Sequence, residues 1–114
     1  GDEVEKVEGG AFDNCSSLRR VIMPNVEVVE YYAFCNCVNL TDVECGKLEI
    51  IEEGAFVFCS SLRSIDLTSV EFVGASAFAC CEALKGAIFG DKLETIKSWA
   101  FLNCSSLEQI TIPL

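Results

Sequence analysis

The sequence contains no histidine. This absence excludes Ser-His-Asp and Cys-His catalysis, because both use imidazole as the general base, and it excludes metal sites with imidazole ligands. No calcium loop of the Asp-x-Asp-x-Asp-Gly type is present. We therefore expect no catalytic residues, no metal site, no cofactor and no enzymatic activity.

Basic residues are also few. The chain has 8 Lys and Arg residues against 18 Asp and Glu residues, which gives a formal net charge of −10. This charge repels nucleic acid and anionic lipid, which are bound through clustered Lys and Arg. No apolar run approaches the roughly 20 residues of a membrane span, so we also predict no membrane insertion. The charge is consistent with solubility alone or with a basic protein partner.

Internal repetition dominates what remains. The unit Ala-Phe-x-x-Cys-x-x-Leu fits residues 11–18, 33–40, 55–62, 77–84 and 100–107. Its phenylalanines are Phe12, Phe34, Phe56, Phe78 and Phe101, at intervals of 22, 22, 22 and 23 residues. A fixed period in this range is typical of a solenoid.

Each unit is followed by two sets of apolar positions. The first set alternates and predicts a short strand with one buried face: Val21 and Met23, Val43 and Cys45, Ile65 and Leu67, Ala87 and Phe89, Ile110 and Ile112. The second set comprises Val26 and Val29, Leu48 and Ile51, Val70 and Val73, and Leu93 and Ile96. A turn lies between the sets, and its version at residues 90–92 has one extra residue, which explains the 23-residue interval. We predict about one helical turn for the Ala-Phe segment and a spacing of about 4.8 Å between coils.

These residues closely resemble the BspA-like (Treponema-type) leucine-rich repeats. Residues 107–113, Leu-Glu-Gln-Ile-Thr-Ile-Pro, carry the first half of that pattern, and residues 51–62 carry the second. The resemblance implies an α/β, right-handed leucine-rich-repeat solenoid that binds other proteins. It would have about five coils of 22–23 residues, with short parallel strands and one-turn helical segments. The chain departs from the pattern where Gly46, Thr68 and Gly90 replace the proline, which remains only at Pro24 and Pro113.

Solenoids need polar caps at their terminal coils, and the sequence shows none. We expect residues 1–114 to form a single solenoid domain that is a segment of a longer array or chain. Further repeats or another subunit would then cover its ends.

Eight cysteines raise the question of disulfides or zinc. Five of them occupy one repeat position: Cys15, Cys37, Cys59, Cys81 and Cys104. An odd column cannot pair completely. Zinc needs four converging ligands, whereas the only close groups are Cys35 with Cys37 and Cys80 with Cys81, and Cys35 and Cys80 fall in different columns. We interpret the cysteines as mostly buried, reduced thiols that act as small hydrophobes. Reduced thiols and the lack of an apolar leader favour an intracellular location, with the cell surface as the alternative.

Three sets of residues are predicted to face outward and bind a partner. The strand positions form the surface usually used by leucine-rich repeats: Arg20, Asp42, Ser64, Gly86 and Gln109, with Ile22, Glu44, Asp66, Ile88 and Thr111 two residues on. An acidic column contains Glu5, Glu27, Glu49, Glu71 and Glu94, and an apolar row beside it contains Val28, Ile50 and Phe72. The acidic column fits a basic partner, a cation or a solvated surface. Tyr31, Tyr32 and Trp99 could extend the contact surface, because Tyr and Trp are common binding anchors.

The function that we infer from the sequence is a non-catalytic protein–protein interaction module or structural scaffold. Two alternatives stay open. The chain could be a cell-surface adhesin or ligand-binding repeat protein, or it could be an accessory module of a larger enzyme whose catalytic part lies outside this sequence.

Overall fold

The computed structural model describes residues 3–113, and they contain ten short β-strands and no helix. The strands are β1 (Lys6–Val7), β2 (Arg20–Ile22), β3 (Val28–Val29), β4 (Asp42–Glu44), β5 (Ile50–Ile51), β6 (Ser64–Leu67), β7 (Phe72–Val73), β8 (Gly86–Phe89), β9 (Thr95–Ile96) and β10 (Gln109–Thr111). Each coil contributes strands to two sheets, which confirms a parallel-strand solenoid of about five coils.

The strands form two five-stranded sheets in which every neighbouring pair is parallel. The main sheet has the order β10-β8-β6-β4-β2, and the minor sheet has the order β1-β3-β5-β7-β9. Pairing follows the sequence period: Arg20 lies opposite Asp42 and Val28 lies opposite Ile50. The register changes to 23 residues where Phe72 pairs with Thr95, although Asp66 still pairs with Ile88. The extra residue is therefore accommodated between β8 and β9, as the longer turn at residues 90–92 predicts.

Side chains of the main sheet alternate as the sequence predicts. In β6, Ser64 and Asp66 are exposed whereas Ile65 and Leu67 are buried. The same alternation places Ala87 and Phe89 inside and Ile88 outside in β8. Because successive side chains of a strand point to opposite faces, one face closes the core and the other faces solvent.

The predicted helical turn at the Ala-Phe segment is wrong, because two residues in every coil have left-handed backbone. The first lies two residues before each Phe: Gly10, Tyr32, Gly54, Ser76 and Trp99. The second lies two residues after it: Asn14, Asn36, Phe58, Cys80 and Asn103. Their φ angles lie between 54° and 69°. A right-handed helix cannot contain such residues, so the segment is a series of tight turns.

Hydrogen bonding explains why turns replace the helix. The N–H groups of Tyr32, Phe34 and Asn36 donate to carbonyl oxygens of the next coil at 2.8–3.0 Å. The intervening N–H groups of Ala33, Cys35 and Cys37 donate within the coil, each to the carbonyl three residues earlier. A helix would direct all these donors along its own axis. The segment therefore satisfies its backbone by linking adjacent coils, and the α/β class gives way to an all-β solenoid.

A stack of phenylalanines forms the centre of the core. The rings of Phe12, Phe34, Phe56, Phe78 and Phe101 are nearly parallel, with centroids 5.2–5.4 Å apart. Phe34, Phe56 and Phe78 are at most 1% exposed, and the preceding Ala33, Ala55 and Ala77 are fully buried. Burial of each such ring is worth roughly 1.5–3 kcal/mol, so this stack is a large part of the stabilising apolar surface.

In the outermost coils, core side chains are not covered by a coil on both sides. Phe12 is 41% exposed, and Ile110 and Ile112, which the strand pattern places in the core, are 44% and 46% exposed. Among the described residues no further coil packs against them, so their inward side chains meet solvent. The burial predicted from the repeat therefore holds for the central coils and is wrong for Phe12, Ile96, Ile110 and Ile112, which are exposed.

Candidate functional site

The outer face of the main sheet is the first candidate surface, and we call it the main-sheet face. It consists of Arg20, Ile22, Asp42, Glu44, Ser64, Asp66, Gly86, Ile88, Gln109 and Thr111. All are exposed except Gly86 and Thr111, which are half-buried. Their placement agrees with the sequence pattern. Since parallel pairing aligns equivalent residues of adjacent coils, the face has two columns of side chains running along the stack.

Chemically this face is mixed. Ile22 and Ile88 are 62% and 55% exposed, which leaves two apolar side chains among charged neighbours. Arg20 donates to Glu44 at 3.0 Å. Asp66 accepts the Thr68 backbone N–H at 2.9 Å, so its carboxylate is held at the end of β6. Exposed apolar side chains beside fixed charges are suited to protein contacts rather than to a small-molecule cavity.

The minor sheet carries the acidic column and the apolar row. Val28, Ile50 and Phe72 lie opposite one another on β3, β5 and β7 and are half-buried rather than fully exposed. Of the acidic column, Glu27, Glu49 and Glu71 are half-buried, whereas Glu5 and Glu94 are exposed. The structure thus gathers the two sets on one side of the stack, separate from the main-sheet face.

A groove of about 490 Å³ crosses the coils beside the minor sheet, and we call it the tyrosine groove. Its walls are formed by Tyr31, Tyr32, Glu52, Glu53, Phe72 and Lys97. These residues come from four successive coils.

Gly74 and Ala75 also line this groove, and they explain why it exists. They occupy positions that carry Glu52 and Glu53 in the preceding coil. A Cβ atom on Gly74 would lie 2.5 Å from the Glu53 backbone nitrogen, so only glycine fits there. The two small residues leave space at positions where the preceding coil carries the longer side chains of Glu52 and Glu53.

Both tyrosine rings of the groove are held in place by glycines. A Cβ atom at Gly9 would lie 2.5 Å from the Tyr31 ring, and one at Gly54 would lie 2.3 Å from the Tyr32 ring. Each ring therefore packs directly on the backbone of an adjacent coil. Tyr31 and Tyr32 nevertheless stay 58% and 40% exposed, so one side of each ring is accessible.

A carboxylate and a lysine complete the polar part of the groove. The Tyr32 hydroxyl donates to Glu53 Oε2 at 2.8 Å. This hydrogen bond, together with partial burial, raises the pKa of Tyr32 above its ordinary value. Lys97 Nζ lies 5.9 Å from the centre of the Phe72 ring, within the range of a cation–π contact.

Sequence reasoning found only part of the groove. It singled out Tyr31 and Tyr32 as contact residues and Phe72 as an outward apolar residue. It missed Glu52, Glu53 and Lys97, because neither of their two repeat columns keeps one residue type in every coil. The columns are Glu8, Glu30, Glu52, Gly74 and Lys97, and Gly9, Tyr31, Glu53, Ala75 and Ser98. The substitution of small residues in one coil, beside aromatic residues two coils earlier, is the signal that could have pointed to a gap.

All eight cysteines are free thiols in the structure. Those of the repeat column are hydrogen-bond donors as well as core residues: the Sγ atoms of Cys37, Cys59, Cys81 and Cys104 lie 3.1–3.2 Å from phenylalanine carbonyl oxygens of the preceding coil. Burial raises the pKa of Cys37 to about 11 and that of Cys45 to about 12. It also raises the pKa values of Cys59 and Cys81. Buried thiols of this kind are inert at neutral pH.

Within residues 3–113, no group of three or more His, Cys, Asp or Glu side chains is arranged to hold a metal ion. The described part of the chain also contains no helix long and apolar enough to cross a membrane.

Two parallel sheets, coils of 22–23 residues and a buried ladder of Leu, Phe and Cys define a leucine-rich-repeat solenoid. The family model for the BspA type leucine rich repeat region, which describes six copies, matches residues 1–108. Because the match covers nearly the whole sequence, the chain belongs to this family. No curated protein matches the chain.

Two crystal structures share the fold. One is a leucine-rich repeat protein from Bacteroides ovatus, with a TM-score of 0.86, 27% sequence identity and 97% of this chain covered. The other is the leucine-rich repeat protein of T. pallidum, with a TM-score of 0.89, 30% identity and 99% of this chain covered. The chain spans 30% of the first protein and 54% of the second. Repeats of this kind generally mediate protein–protein interaction or scaffolding.

Proposed function

We propose that the chain is a non-catalytic protein-interaction scaffold that binds its partner through the main-sheet face. The observation that carries this proposal is the exposure of Ile22 and Ile88, at 62% and 55%, on a flat parallel sheet. No other described element packs over this face. Exposed apolar side chains among charges are compatible with an interaction surface.

The acidic column makes a basic partner the best match. The net charge is −10, and three of the acidic residues, Glu27, Glu49 and Glu71, lie in one line along the minor sheet. Complementary charge steers association and selects partners more than it adds affinity. In this proposal a secondary contact strip follows the minor sheet, separate from the main-sheet face. It consists of Glu5, Glu27, Glu49, Glu71 and Glu94, with Val28, Ile50 and Phe72.

We further propose that other coils or another subunit cover the two ends of the stack, so that the segment acts within a longer array. Support comes from the exposed side chains of Phe12 at one end and of Ile110 and Ile112 at the other. The outer strands β1 and β2, and β9 and β10, also have one unpaired edge each within the described residues. Such edges favour pairing with a further strand.

Affinity purification with quantitative mass spectrometry tests the binding surface. The test variant, Ile22→Lys/Ile88→Glu, removes both apolar side chains and leaves the net charge unchanged. The matched control, Val38→Lys/Leu102→Glu, changes two other exposed apolar residues that are 39% and 47% exposed. We expect the test variant to lose partners that the native chain and the control both retain. Equal recovery with all three proteins, or no partner above background with any of them, would contradict the proposal.

A further inference from the structure

We propose that the tyrosine groove binds an arginine side chain of a basic peptide segment, at a site separate from the main-sheet face. The groove offers aromatic surfaces and carboxylates together, with Tyr31, Tyr32 and Phe72 on its walls and Glu52 and Glu53 between them. A guanidinium group stacks on aromatic rings and pairs with carboxylates through its planar set of N–H donors. Its chemistry therefore matches both features at once.

The aromatic surfaces are fixed before any ligand arrives. Tyr32 packs on the backbone at Gly54, and its hydroxyl is held by Glu53 at 2.8 Å. Tyr31 packs on the backbone at Gly9. Since neither ring has to be ordered on binding, the conformational cost of forming the complex is small.

The groove already holds a cation on one wall. Lys97 Nζ lies 5.9 Å from the Phe72 ring centre. Among the described residues, its ammonium group forms no ion pair with a carboxylate at 4.0 Å or less. A second cation in the groove would be repelled by the Lys97 ammonium group and would compete with it for the attraction of Glu52 and Glu53. Removal of this lysine should consequently strengthen binding of a basic ligand.

Carboxylates outnumber the single lysine in the groove, and the surrounding protein is strongly acidic. Glu52 and Glu53 line the groove together with the aromatic side chains, and Glu53 accepts a hydrogen bond from Tyr32 at 2.8 Å. The net charge of −10 attracts basic peptides to the whole surface, so the proposal predicts a local preference beyond this general attraction.

Isothermal titration with a short peptide of alternating Gly and Arg residues tests the site, and the same peptide with Lys tests its selectivity. We expect the Arg peptide to bind more tightly than the Lys peptide. Tyr32→Asn should weaken binding roughly fivefold, as expected for a lost cation–π contact at an exposed site. Asn tolerates the φ of 54° at this position, so the substitution avoids backbone strain. Tyr32→Phe retains the ring and should retain most of the affinity.

Two charge variants separate a site from diffuse attraction. Glu52→Gln/Glu53→Gln should weaken binding roughly tenfold, whereas Asp91→Asn/Glu108→Gln, which removes two exposed charges elsewhere, should weaken it less than twofold. Lys97→Met should tighten binding roughly twofold to fivefold.

Three results would overturn the proposal: no binding of the Arg peptide, equal weakening by the two charge variants, or unchanged affinity in both Tyr32→Asn and Lys97→Met. Thermal unfolding of each variant verifies its fold. If Tyr32→Asn does not fold, the proposal is tested by the two charge variants and by Lys97→Met. Ile22→Lys/Ile88→Glu should bind the Arg peptide like the native chain. Failure of this inference therefore leaves the main-sheet proposal unaffected, and the reverse also holds.

If a second copy of the chain occupied the groove through its own arginines, dilution would change the oligomeric state and the peptide would compete, which would refute the peptide proposal.

Discussion

Single residues carry the backbone strain of the coils. Two positions per coil have positive φ, and the five copies fill them with different residues. Asn and Gly adopt this conformation at little cost, whereas bulky side chains such as Phe58 and Trp99 do so only under the constraint of neighbouring turns. This variation predicts that single substitutions at these positions change stability without any change in the core.

Relief of backbone strain in Phe58→Asn should contribute about 0.5–1 kcal/mol of stability, because Asn suits the φ of 61° at this position. Phe58 is 48% exposed, so part of its buried apolar area is lost as well, and the control accounts for this loss. Val38→Asn is the matched control, since Val38 is 39% exposed and is not among the residues with positive φ. Urea unfolding measures both. A loss of stability in Phe58→Asn equal to that in the control would contradict the strain argument.

Buried thiols should make the protein sensitive to alkaline pH. Burial raises the pKa of Cys37 to about 11 and of Cys45 to about 12, against an ordinary value of 9.0. A group whose pKa is raised by folding stabilises the fold fully below its unfolded pKa, and this stabilisation decreases as pH rises toward the folded pKa. The unfolding temperature should therefore fall steadily above about pH 9.

Cys45→Val provides the control for this alkaline effect, because it removes one buried thiol and keeps an apolar side chain. Its unfolding temperature, measured with reductant present, should fall less steeply above about pH 9 than that of the native chain. Identical profiles for the two proteins would show that the thiols do not cause the loss.

At the scale of the elements, the Ala-Phe segment is the part that sequence reasoning mistook. Its apolar spacing is compatible with a helical turn. The strand positions and register agree with the prediction, and the core columns agree with it except at Phe12, Ile96, Ile110 and Ile112, which are exposed. The true conformation depends on alternate N–H groups that bind the next coil, such as Phe34 to Ala55 at 2.8 Å. These partners are 21 residues apart, and a local pattern contains no information about them. Asn14, Asn36 and Asn103, at one repeat position, were the available sign of left-handed backbone.

The phenylalanine stack should respond according to position. Phe56 lies between Phe34 and Phe78 at 5.2 and 5.3 Å and is fully buried, so Phe56→Ala should destabilise the protein by about 3–5 kcal/mol. Phe12 is 41% exposed at the end of the stack, and Phe12→Ala should destabilise it by about 1–2 kcal/mol. Chemical unfolding compares the two. Equal losses would mean that the rings do not act as a stack with a protected centre.

For the whole molecule, the repeat separates stability from recognition. Core columns of Leu, Phe, Ala and Cys recur in every coil, whereas the main-sheet face changes from Arg20 to Asp42, Ser64, Gly86 and Gln109. Strand alternation determines which residues point outward, and it predicted this correctly; that the face binds a partner stays a prediction. The tyrosine groove could not be predicted in full, because it depends on the missing side chain of Gly74 and on packing across four coils.

Site-specific photo-crosslinking tests the central claim, that binding uses the main-sheet face, most directly. A photoreactive residue at Ser64 lies in the middle of this face, and one at Ser16 lies at an exposed position of the Ala-Phe turns. In the native environment, Ser64 should form a discrete crosslink to a partner protein, and Ser16 should form none. Crosslinks from Ser16 with none from Ser64 would contradict the claim.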